Sequence, residues 1–324
     1  MKAILCTHFG TPDDLVLTDI SEPTPAPGEV VAKVVAVGLN FFDTLLIAGK
    51  YQKKPPFPFS PCGEFTSIVE TVGEGVTGFK PGDRVLGYCT FGAARERIAV
   101  SADKLVKLNV DLDLVRAAGL AITYGTSYHA LADRAHLKPG ETLAVLGAAG
   151  GVGLAAVELG KLMGARVIAC AGSDDKLAFA RRHGADATVN YTTQDLRTAL
   201  KDLGGDHGID VIFDPVGGSY SEAALRAIAW RGRHLVVGFA AGEIPKLPLN
   251  LTLLKGCAVV GVYFGDWVRH DPQAYHAALE QLARWASEGK LSCHIHQVYP
   301  LAQTPQALKA LTQRQAMGKV IVQP

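Results

Sequence analysis

A glycine-rich turn near the middle of the chain has the residue types and spacing of a phosphate-binding site. The apolar segment Thr142–Leu146 predicts a strand, Gly151–Met163 predicts a helix, and the turn Gly147–Gly153 joins them. Ala148 replaces the first glycine of the usual G-x-G-x-x-G pattern, so the string alone is a weak match. The flanking strand and helix are what favour a dinucleotide site over a purely structural turn.

Backbone amides would bind the phosphates at such a turn. A glycine at position 150 lets the backbone approach a pyrophosphate, and a glycine at position 153 lets the helix pack closely on the sheet. Free amides at the helix start supply donors in a favourable dipole. The predicted pyrophosphate contacts are Ala149, Gly150, Gly151 and Val152.

The end of the second strand of this region bears on the choice between NADH and NADPH. An NADH site usually places an acid about 20 residues beyond the glycines, where it binds the ribose 2′-hydroxyl. Here that position is Ala171, followed by Gly172 and Ser173. Ser173 can hydrogen-bond a 2′-phosphate and Lys176 can neutralise it. These residues favour NADPH.

A structural interpretation of the same segment stays open. Ser173 could cap the following helix, and Asp174 and Asp175 would complement the dipole of that helix. Two acids so close to the site also keep NADH as an alternative.

Composition excludes several other classes of protein. The 324 residues are enough for two domains, and a net charge of +1 provides no electrostatic case for binding nucleic acid or an acidic membrane. The first residues lack the apolar core of a signal peptide, and no apolar run reaches bilayer length, so we expect a cytoplasmic protein. The six cysteines form no C-x-x-C pair and are expected to be buried free thiols.

The pattern of elements changes along the chain. Residues 1–115 are β-rich, with extended apolar runs such as Glu29–Val37. From about 120 to 262, apolar strands alternate with amphipathic helices, which predicts a parallel sheet covered on both faces. The C-terminal segment after residue 262 does not continue this alternation of strands and helices, and we expect it to return to the first domain. The further helices and strands predicted between 165 and 322 are Ala165–Cys170, Asp174–His183, Ala187–Asn190, Asp210–Phe213, Ser219–Trp230, His234–Val237, Ala258–Val262, Pro272–Glu288, Pro305–Gln313 and Lys319–Val322.

Taken together, these motifs resemble the medium-chain dehydrogenase/reductase superfamily, and specifically its zinc-free quinone oxidoreductase branch. The resemblance covers essentially the whole chain. It depends on a series of strings in order and at similar spacing: Gly38–Thr44, Gly49–Tyr51, Val72–Val76, Lys80–Val85, Ala148–Gly153, His183–Asp186, Asn190–Tyr191 and Val237–Phe239.

The resemblance implies an α/β protein with two domains and an active site in the cleft between them. A GroES-like β-barrel catalytic domain would comprise residues 1–120 and a returning segment at 263–324. A Rossmann domain with a doubly wound parallel sheet would span residues 121–262 and bind the dinucleotide.

The residues also argue against a catalytic metal. Zinc-containing relatives have a cysteine where this chain has Asn40, and a Gly-His-Glu motif where it has Cys62-Gly63-Glu64. Asn40 and Gly63 cannot replace a thiolate and an imidazole in a tetrahedral site. Cys62 is one residue out of register, so no metal ligand is predicted.

Without zinc, hydrogen-bond donors must polarise the substrate. By resemblance, Asn40 and Tyr51 line the cleft that faces the nicotinamide. An amide and a phenol could hold or protonate a developing oxyanion, so these two are the predicted catalytic residues. The alternatives are a turn residue for Asn40 and a half-buried ring for Tyr51.

The resemblance also assigns cofactor contacts. Thr123 would lie under the cofactor amide, with a helix cap as the alternative. Tyr191 would flank the adenosine, with an edge-strand tyrosine as the alternative. Phe239 and Phe264 follow strands of the parallel sheet, where ligands bind, and the family uses these segments around the nicotinamide. Arg314 resembles an arginine that helps to bind the 2′-phosphate.

The expected activity is NADPH-dependent reduction of a small molecule, either a quinone or a similar conjugated carbonyl compound. An enone or enoyl-thioester reductase is the nearest alternative, since only the pocket would differ. A binding protein without important turnover, structural or sensory, is the alternative of another class. By analogy we expect a homodimer, with Ala258–Val262 as a candidate edge strand.

Overall fold

The computed structural model describes residues 1–108 and 111–324, which divide into two compact units. The first unit comprises Met1–Thr123 and Pro272–Pro324, and the second comprises Tyr124–Asp271. The boundaries predicted at 120 and 262 differ from these, because the helix Phe264–His270 belongs to the second unit.

The second unit is built on a six-stranded parallel sheet. Its central strands are continuous apolar runs that are fully buried, as expected where crossover helices cover both faces. The strands are β8 (Thr142–Leu146), β9 (Arg166–Ala171), β10 (Ala187–Asn190), β11 (Ile209–Asp214), β12 (Ile228–Val236) and β13 (Ala258–Gly261), and the helices are α3 (Gly125–Tyr128), α4 (Gly151–Leu162), α5 (Asp174–Arg182), α6 (Leu196–Gly204), α7 (Ser219–Leu225), α8 (Asn250–Lys255) and α9 (Phe264–His270).

The order of these strands determines where a ligand would bind. Across the sheet the order is β10-β9-β8-β11-β12-β13, so the direction of winding reverses between β8 and β11. Ligands of such sheets bind at the carboxyl ends of the strands beside this reversal. The loops after β8, β9 and β11 therefore form the candidate ligand-binding edge of the second unit.

The first unit is a mixed β structure completed by the end of the chain. One sheet runs β14-β15-β3-β4-β5-β7, with β6 also paired to β3, and β1 pairs with β2. Its elements are β1 (Lys2–Leu5), β2 (Val16–Asp19), β3 (Glu29–Leu39), α1 (Phe41–Ile47), β4 (Glu64–Val72), β5 (Arg84–Tyr88), β6 (Arg97–Ser101), β7 (Leu105–Lys107), α2 (Leu114–Ala117), α10 (Pro272–Ser287), β14 (Ile295–Pro300), α11 (Thr304–Thr312) and β15 (Lys319–Gln323).

Strand register in the first unit brings three distant segments together. The pairing of β15 with β3 places Val320 opposite Leu39, and the pairing of β3 with β4 places Gly38 opposite Glu64. Lys319, Asn40 and Glu64 consequently lie at the same end of three adjacent strands.

Some sequence predictions of elements were wrong. The helix predicted at Ser219–Trp230 ends at Leu225, because the next residues pair with β11 as strand β12, which starts at Ile228 rather than His234. Helices α6 and α8 were not predicted. The buried free thiols are confirmed for Cys6, Cys62, Cys170 and Cys293, whereas Cys89 and Cys257 are half-buried.

Among the described residues, no helix combines the length and the apolar character that a bilayer crossing demands.

Candidate functional site

The turn after β8 presents backbone amides at the start of α4. Gly147 has φ +61°, a left-handed conformation that favours glycine, and the Gly150 amide donates to Gly147 O at 3.0 Å. The helical bonds begin with the Leu154 amide, which donates to Gly150 O at 2.8 Å. The amides of residues 151–153 therefore have no acceptor within the helix, which leaves them for an anion.

Close packing explains the glycine pattern of this turn. A Cβ on Gly153 would lie 2.2 Å from Gly147 O, so no other residue fits there without a shift of the backbone. Ala148 is fully buried, and its amide donates to Cys170 O at 3.1 Å. The first glycine of the usual pattern can therefore be an alanine, because its methyl group points into the protein core.

The segment after β9 leaves a hydroxyl available. Ser173 occupies the N-cap position of α5, but its side chain makes no capping hydrogen bond, so side-chain capping does not account for this serine. Asp174 accepts a 2.8 Å hydrogen bond from Asn190 Nδ2 at the end of β10. Lys176 is half-buried on the first turn of α5.

Tyr191 lies beside this segment. A Cβ on Gly172 would lie 3.4 Å from the Tyr191 ring, and that ring is 4.4 Å from the ring of Tyr220. The hydroxyl of Thr192 donates to Gly172 O at 2.9 Å and joins the ends of β9 and β10. The predicted residues Gly172, Ser173, Lys176 and Tyr191 thus lie at one edge of the sheet.

A buried carboxylate orders the loop after β11. Asp214 Oδ1 accepts from the amides of Val216 and Gly217, both at 2.9 Å, and Oδ2 accepts from Ser221 and His234. Burial raises the pKa of Asp214, but the hydrogen bonds from His234 and Ser221 bring it below its ordinary value. The loop is therefore held by an ionised carboxylate.

This loop packs against two predicted cofactor segments. A Cβ on Gly147 would lie 3.0 Å from Val216, and one on Gly217 would lie 2.9 Å from the Phe239 ring. Phe239 is partly exposed, whereas Phe264 is buried at the start of α9 with its ring 6.1 Å from Trp267.

The first unit contains a buried polar cluster, which consists of Asn40, Glu64, Thr123 and Lys319. Lys319 Nζ lies 2.6 Å from Glu64 Oε2, 2.7 Å from Thr123 Oγ1 and 2.8 Å from Asn40 Oδ1. Glu64 also accepts from Asn40 Nδ2 at 2.9 Å and from the amide of Ile122 at 2.7 Å. The Glu64 carboxylate thus accepts charge-assisted hydrogen bonds at both of its oxygens.

Glycines make room for this cluster. A Cβ on Gly38 would lie 2.7 Å from Lys319 Cε and 3.0 Å from Glu64 Oε2, and one on Gly119 would lie 3.1 Å from Lys319 Cγ. The lysine side chain therefore passes between two backbone segments without side chains. A larger residue at position 38 would collide with the backbone oxygen of Ala118 and with both members of the ion pair.

The chain matches two family descriptions in sequence. Residues 26–110 match "Alcohol dehydrogenase GroES-like domain" and residues 151–284 match "Zinc-binding dehydrogenase". A quinone oxidoreductase-like protein 2 homolog of Nematostella vectensis is 38% identical over 99% of this chain and 88% of its own length. The human quinone oxidoreductase is 32% identical over 99% of this chain and 97% of its own length. This chain belongs to the quinone oxidoreductase branch of the medium-chain dehydrogenase/reductase superfamily.

Solved structures agree with this membership. The Escherichia coli quinone oxidoreductase, described as complexed with NADPH, superimposes with a TM-score of 0.93 over 100% of both chains at 28% identity. The predicted combination of a GroES-like domain and a Rossmann domain is confirmed for this quinone oxidoreductase-family chain.

Asn40 and Tyr51 flank α1 in this family member. Asn40 is buried at the N-cap of α1, and Tyr51 is a half-buried ring on the loop after α1, 5.3 Å from Phe42. Asn40 Nδ2 donates both to Glu64 and, at 3.2 Å, to Gly38 O, so its amide hydrogens point to protein acceptors. Arg314 lies in the exposed turn that follows α11, with φ +56°. Their roles stay predictions.

Asp43 is a second buried acid beside the cluster. Its Oδ2 accepts from the Asn40 amide at 2.7 Å, and its Oδ1 has no hydrogen-bond partner among the described residues. The pKa of Asp43 is raised from its ordinary value of 3.8 to about 7. Burial is the largest cause of this shift, the Asn40 amide and Lys319 oppose it, and Glu64 adds to it. This carboxyl consequently titrates near neutral pH.

Sequence reasoning missed the residues that hold the site together: Lys319 and Glu64 in the first unit, and Asp214, Ser221 and His234 in the second. The available signal was a charged residue within or next to an apolar strand, as in Gly318-Lys319-Val320. Such residues are seldom fully buried unless they are paired. In residues 1–108 and 111–324, no three histidine, cysteine or acidic side chains are grouped as metal ligands.

Proposed function

We propose that this chain is an NADPH-dependent oxidoreductase that reduces quinones or similar conjugated carbonyl compounds without a catalytic zinc ion. The residues at the end of β9 are the observation that supports NADPH over NADH as the cofactor. Ala171 occupies the position where an acid would bind the ribose of NADH. Ser173 offers a hydroxyl that does not cap α5, and Lys176 offers a positive charge, so both suit a 2′-phosphate.

The geometry of the second unit supports the following assignment of cofactor contacts. The turn Ala149–Val152 binds the pyrophosphate, with the amides of Gly151 and Val152 as donors and Gly150 permitting close approach. Tyr191 flanks the adenosine, and Phe239 and Phe264 border the nicotinamide. When bound, the nicotinamide supplies a hydride. Thr123 and Arg314 are assigned, from the family resemblance alone, to the cofactor amide and the 2′-phosphate.

Asn40 and Tyr51 bind the oxygen of the acceptor. An amide N–H and a phenol O–H stabilise negative charge as it develops on that oxygen, and the phenol can transfer its proton to it. These donors replace a metal ion. The Lys319 ammonium supports this assignment, because it already neutralises Glu64 and contacts Asn40, where zinc-containing relatives have a cysteine ligand.

The test is a steady-state assay of NADPH oxidation with a panel of quinones and a panel of short enoyl-CoA thioesters. We expect quinone turnover with NADPH that exceeds turnover with NADH. Turnover only with enoyl-CoA would make the chain an enoyl-thioester reductase. Tight NADPH binding without turnover of either panel would favour a non-catalytic sensor. We also propose that the enzyme acts in the cytoplasm as a homodimer.

A further inference from the structure

The ammonium group of Lys319 is fully engaged inside the first unit. An ammonium has three hydrogens, and this one has three acceptors within 2.8 Å, on Glu64, Thr123 and Asn40. The backbone amide of Ile122 holds the other oxygen of Glu64 at 2.7 Å. Neither charge can rotate away without losing a hydrogen bond in a buried environment.

We propose that Lys319 is a positioning residue for the reduction, and that it acts by fixing the side chains of Asn40 and Thr123. The proposal rests on the function proposed above. Glu64 takes part as the group that holds the ammonium in place.

The contacts of Asn40 give the physical basis. Its Oδ1 accepts from Lys319 at 2.8 Å and from the Thr123 hydroxyl at 3.2 Å, so a rotation of the amide by 180° would put its NH2 group against an ammonium. The amide therefore has one orientation, with Nδ2 towards Glu64 and Gly38. A hydrogen bond from an ammonium to Oδ1 also polarises the amide and makes Nδ2 a stronger donor.

The two Nδ2 hydrogen bonds differ in strength. The bond to the Glu64 carboxylate is 2.9 Å, whereas the bond to Gly38 O is 3.2 Å and has a neutral acceptor. The N–H directed to Gly38 O is the one that Asn40 can share with the oxygen of an acceptor as a hydrogen bond, and the proton stays on the amide. The hydrogen bond to Glu64 keeps the amide aligned meanwhile.

Stability alone does not account for the buried pair. The desolvation of two buried charges offsets much of their attraction, and apolar residues often replace such pairs without loss of stability. The chain nevertheless accommodates the lysine side chain beside Gly119, where all the nearest atoms to an added Cβ belong to Lys319.

The test variant is Lys319→Met combined with Glu64→Gln, which removes both charges and leaves an acceptor for the Ile122 amide. With 1,4-benzoquinone as acceptor, kcat is expected to fall roughly 10- to 100-fold while the Kd for NADPH changes less than about 2-fold. The deuterium isotope effect on kcat, measured with NADPH deuterated at the transferred C4 position, is expected to increase. A lower fraction of folded enzyme would reduce kcat without changing the isotope effect.

The control is Lys107→Met with Asp83→Asn, a more exposed lysine–carboxylate pair of the first unit, at 2.8 Å. It should retain the wild-type kcat and isotope effect. A double variant at positions 319 and 64 that also retains both would overturn the proposal.

A second measurement does not depend on turnover. The chain has four asparagines, so the side-chain amide of Asn40 can be assigned in protein labelled with ¹⁵N-asparagine by comparison with Asn40→Ser. Its hydrogens should exchange slowly in the wild type and at least about 10-fold faster in the variant at 319 and 64. Unchanged exchange would overturn the positioning role. Absence of turnover in the wild type would instead contradict the proposed function.

Discussion

At the scale of single residues, the N-cap side chain of α5 in the second unit makes no capping hydrogen bond. Ser173 has the backbone of an N-cap, but its hydroxyl does not cap α5, and Asp174 is occupied by Asn190. Lys176 lies on the first turn of the same helix. Under the proposed function, Lys176 is the cation on this turn that would pair with a 2′-phosphate, although Asp174 and Asp175 lie on the same turn.

Lys176→Ala should accordingly weaken the binding of NADPH more than that of NADH. Loss of a charge-assisted hydrogen bond is expected to raise the Kd for NADPH about 10-fold or more, with less than about 2-fold for NADH. Fluorescence titration of the two cofactors measures both values. Lys201→Ala, at an exposed position on α6, is the control. Equal losses for both cofactors would show that Lys176 does not bind the 2′-phosphate.

Asp43 gives a residue-scale prediction for stability. Folding raises its pKa from 3.8 to about 7, mainly through burial. Lys319 lowers the pKa and Glu64 raises it, and the thiols of Cys62 and Cys89 are the other titratable groups nearby. Its protonated form therefore favours the folded state. That contribution is complete below about pH 4 and is lost as the pH rises through about 7.

We expect Asp43→Asn to become more stable relative to the wild type as the pH rises from about 4 to about 8. Between these pH values, the unfolding free energy of Asp43→Asn relative to that of the wild type should increase by at most ~4 kcal/mol. Denaturant unfolding at both pH values measures it, with Asp103→Asn at an exposed position as the control. A difference that does not vary with pH would contradict the raised pKa.

At the scale of elements, two features of the second unit bear on its function: a turn that can bind a ligand and a strand that can bind another chain. One is the strand–turn–helix unit β8-turn-α4, where Gly147 and Gly153 permit a close turn and leave amides available. The other is the edge strand β13, whose outer side is the end of the sheet within the described residues. Large apolar side chains near β13 are exposed: Trp230 (66%), Leu253 (79%), Leu254 (69%) and Val259 (40%).

An exposed edge with apolar neighbours favours pairing with a second copy of the chain. We expect the protein to sediment as a dimer in analytical ultracentrifugation, and we expect Val259→Lys to shift it towards monomer at micromolar concentration. Leu162→Lys, at a partly exposed position of α4, should leave the dimer intact. A wild-type monomer would rule out this edge as an interface.

At the scale of the whole molecule, the two units differ in how the chain builds them. The second unit is one continuous segment with its own core, which includes Leu146, Ile168 and Ile212. The core of the first unit combines residues near the start of the chain, such as Ile4 and Val37, with Leu308 and Val320 near its end.

Removal of residues 272–324 should therefore damage only the first unit. We expect a fragment of residues 124–271 to unfold cooperatively in a thermal scan, because its sheet and core are complete. A fragment of residues 1–271 should expose the β3 edge and lose the cooperative transition of the first unit, because β15 and α11 are missing. Full stability of the 1–271 fragment would show that the returning segment is dispensable.

The fold was largely predictable from the sequence, because its strongest signals are local. The strand, turn and helix around Gly147–Gly153 are consecutive, and the placement of β10 at Ala187–Asn190 was correct to the residue. The end of α7 at Leu225 was not predicted, because the apolar run continues through Trp230. Only the pairing with β11 makes Ile228 the start of a strand.

The sequence by itself determined a dinucleotide-binding turn and an asparagine in place of a metal ligand. Only the tertiary structure decided which groups hold that asparagine. Glu64 and Lys319 are 24 and 279 residues away from Asn40 in the chain. Strand pairing unites them, and the pairing of β15 with β3 joins segments so far apart in the chain that neither segment alone specifies its partner.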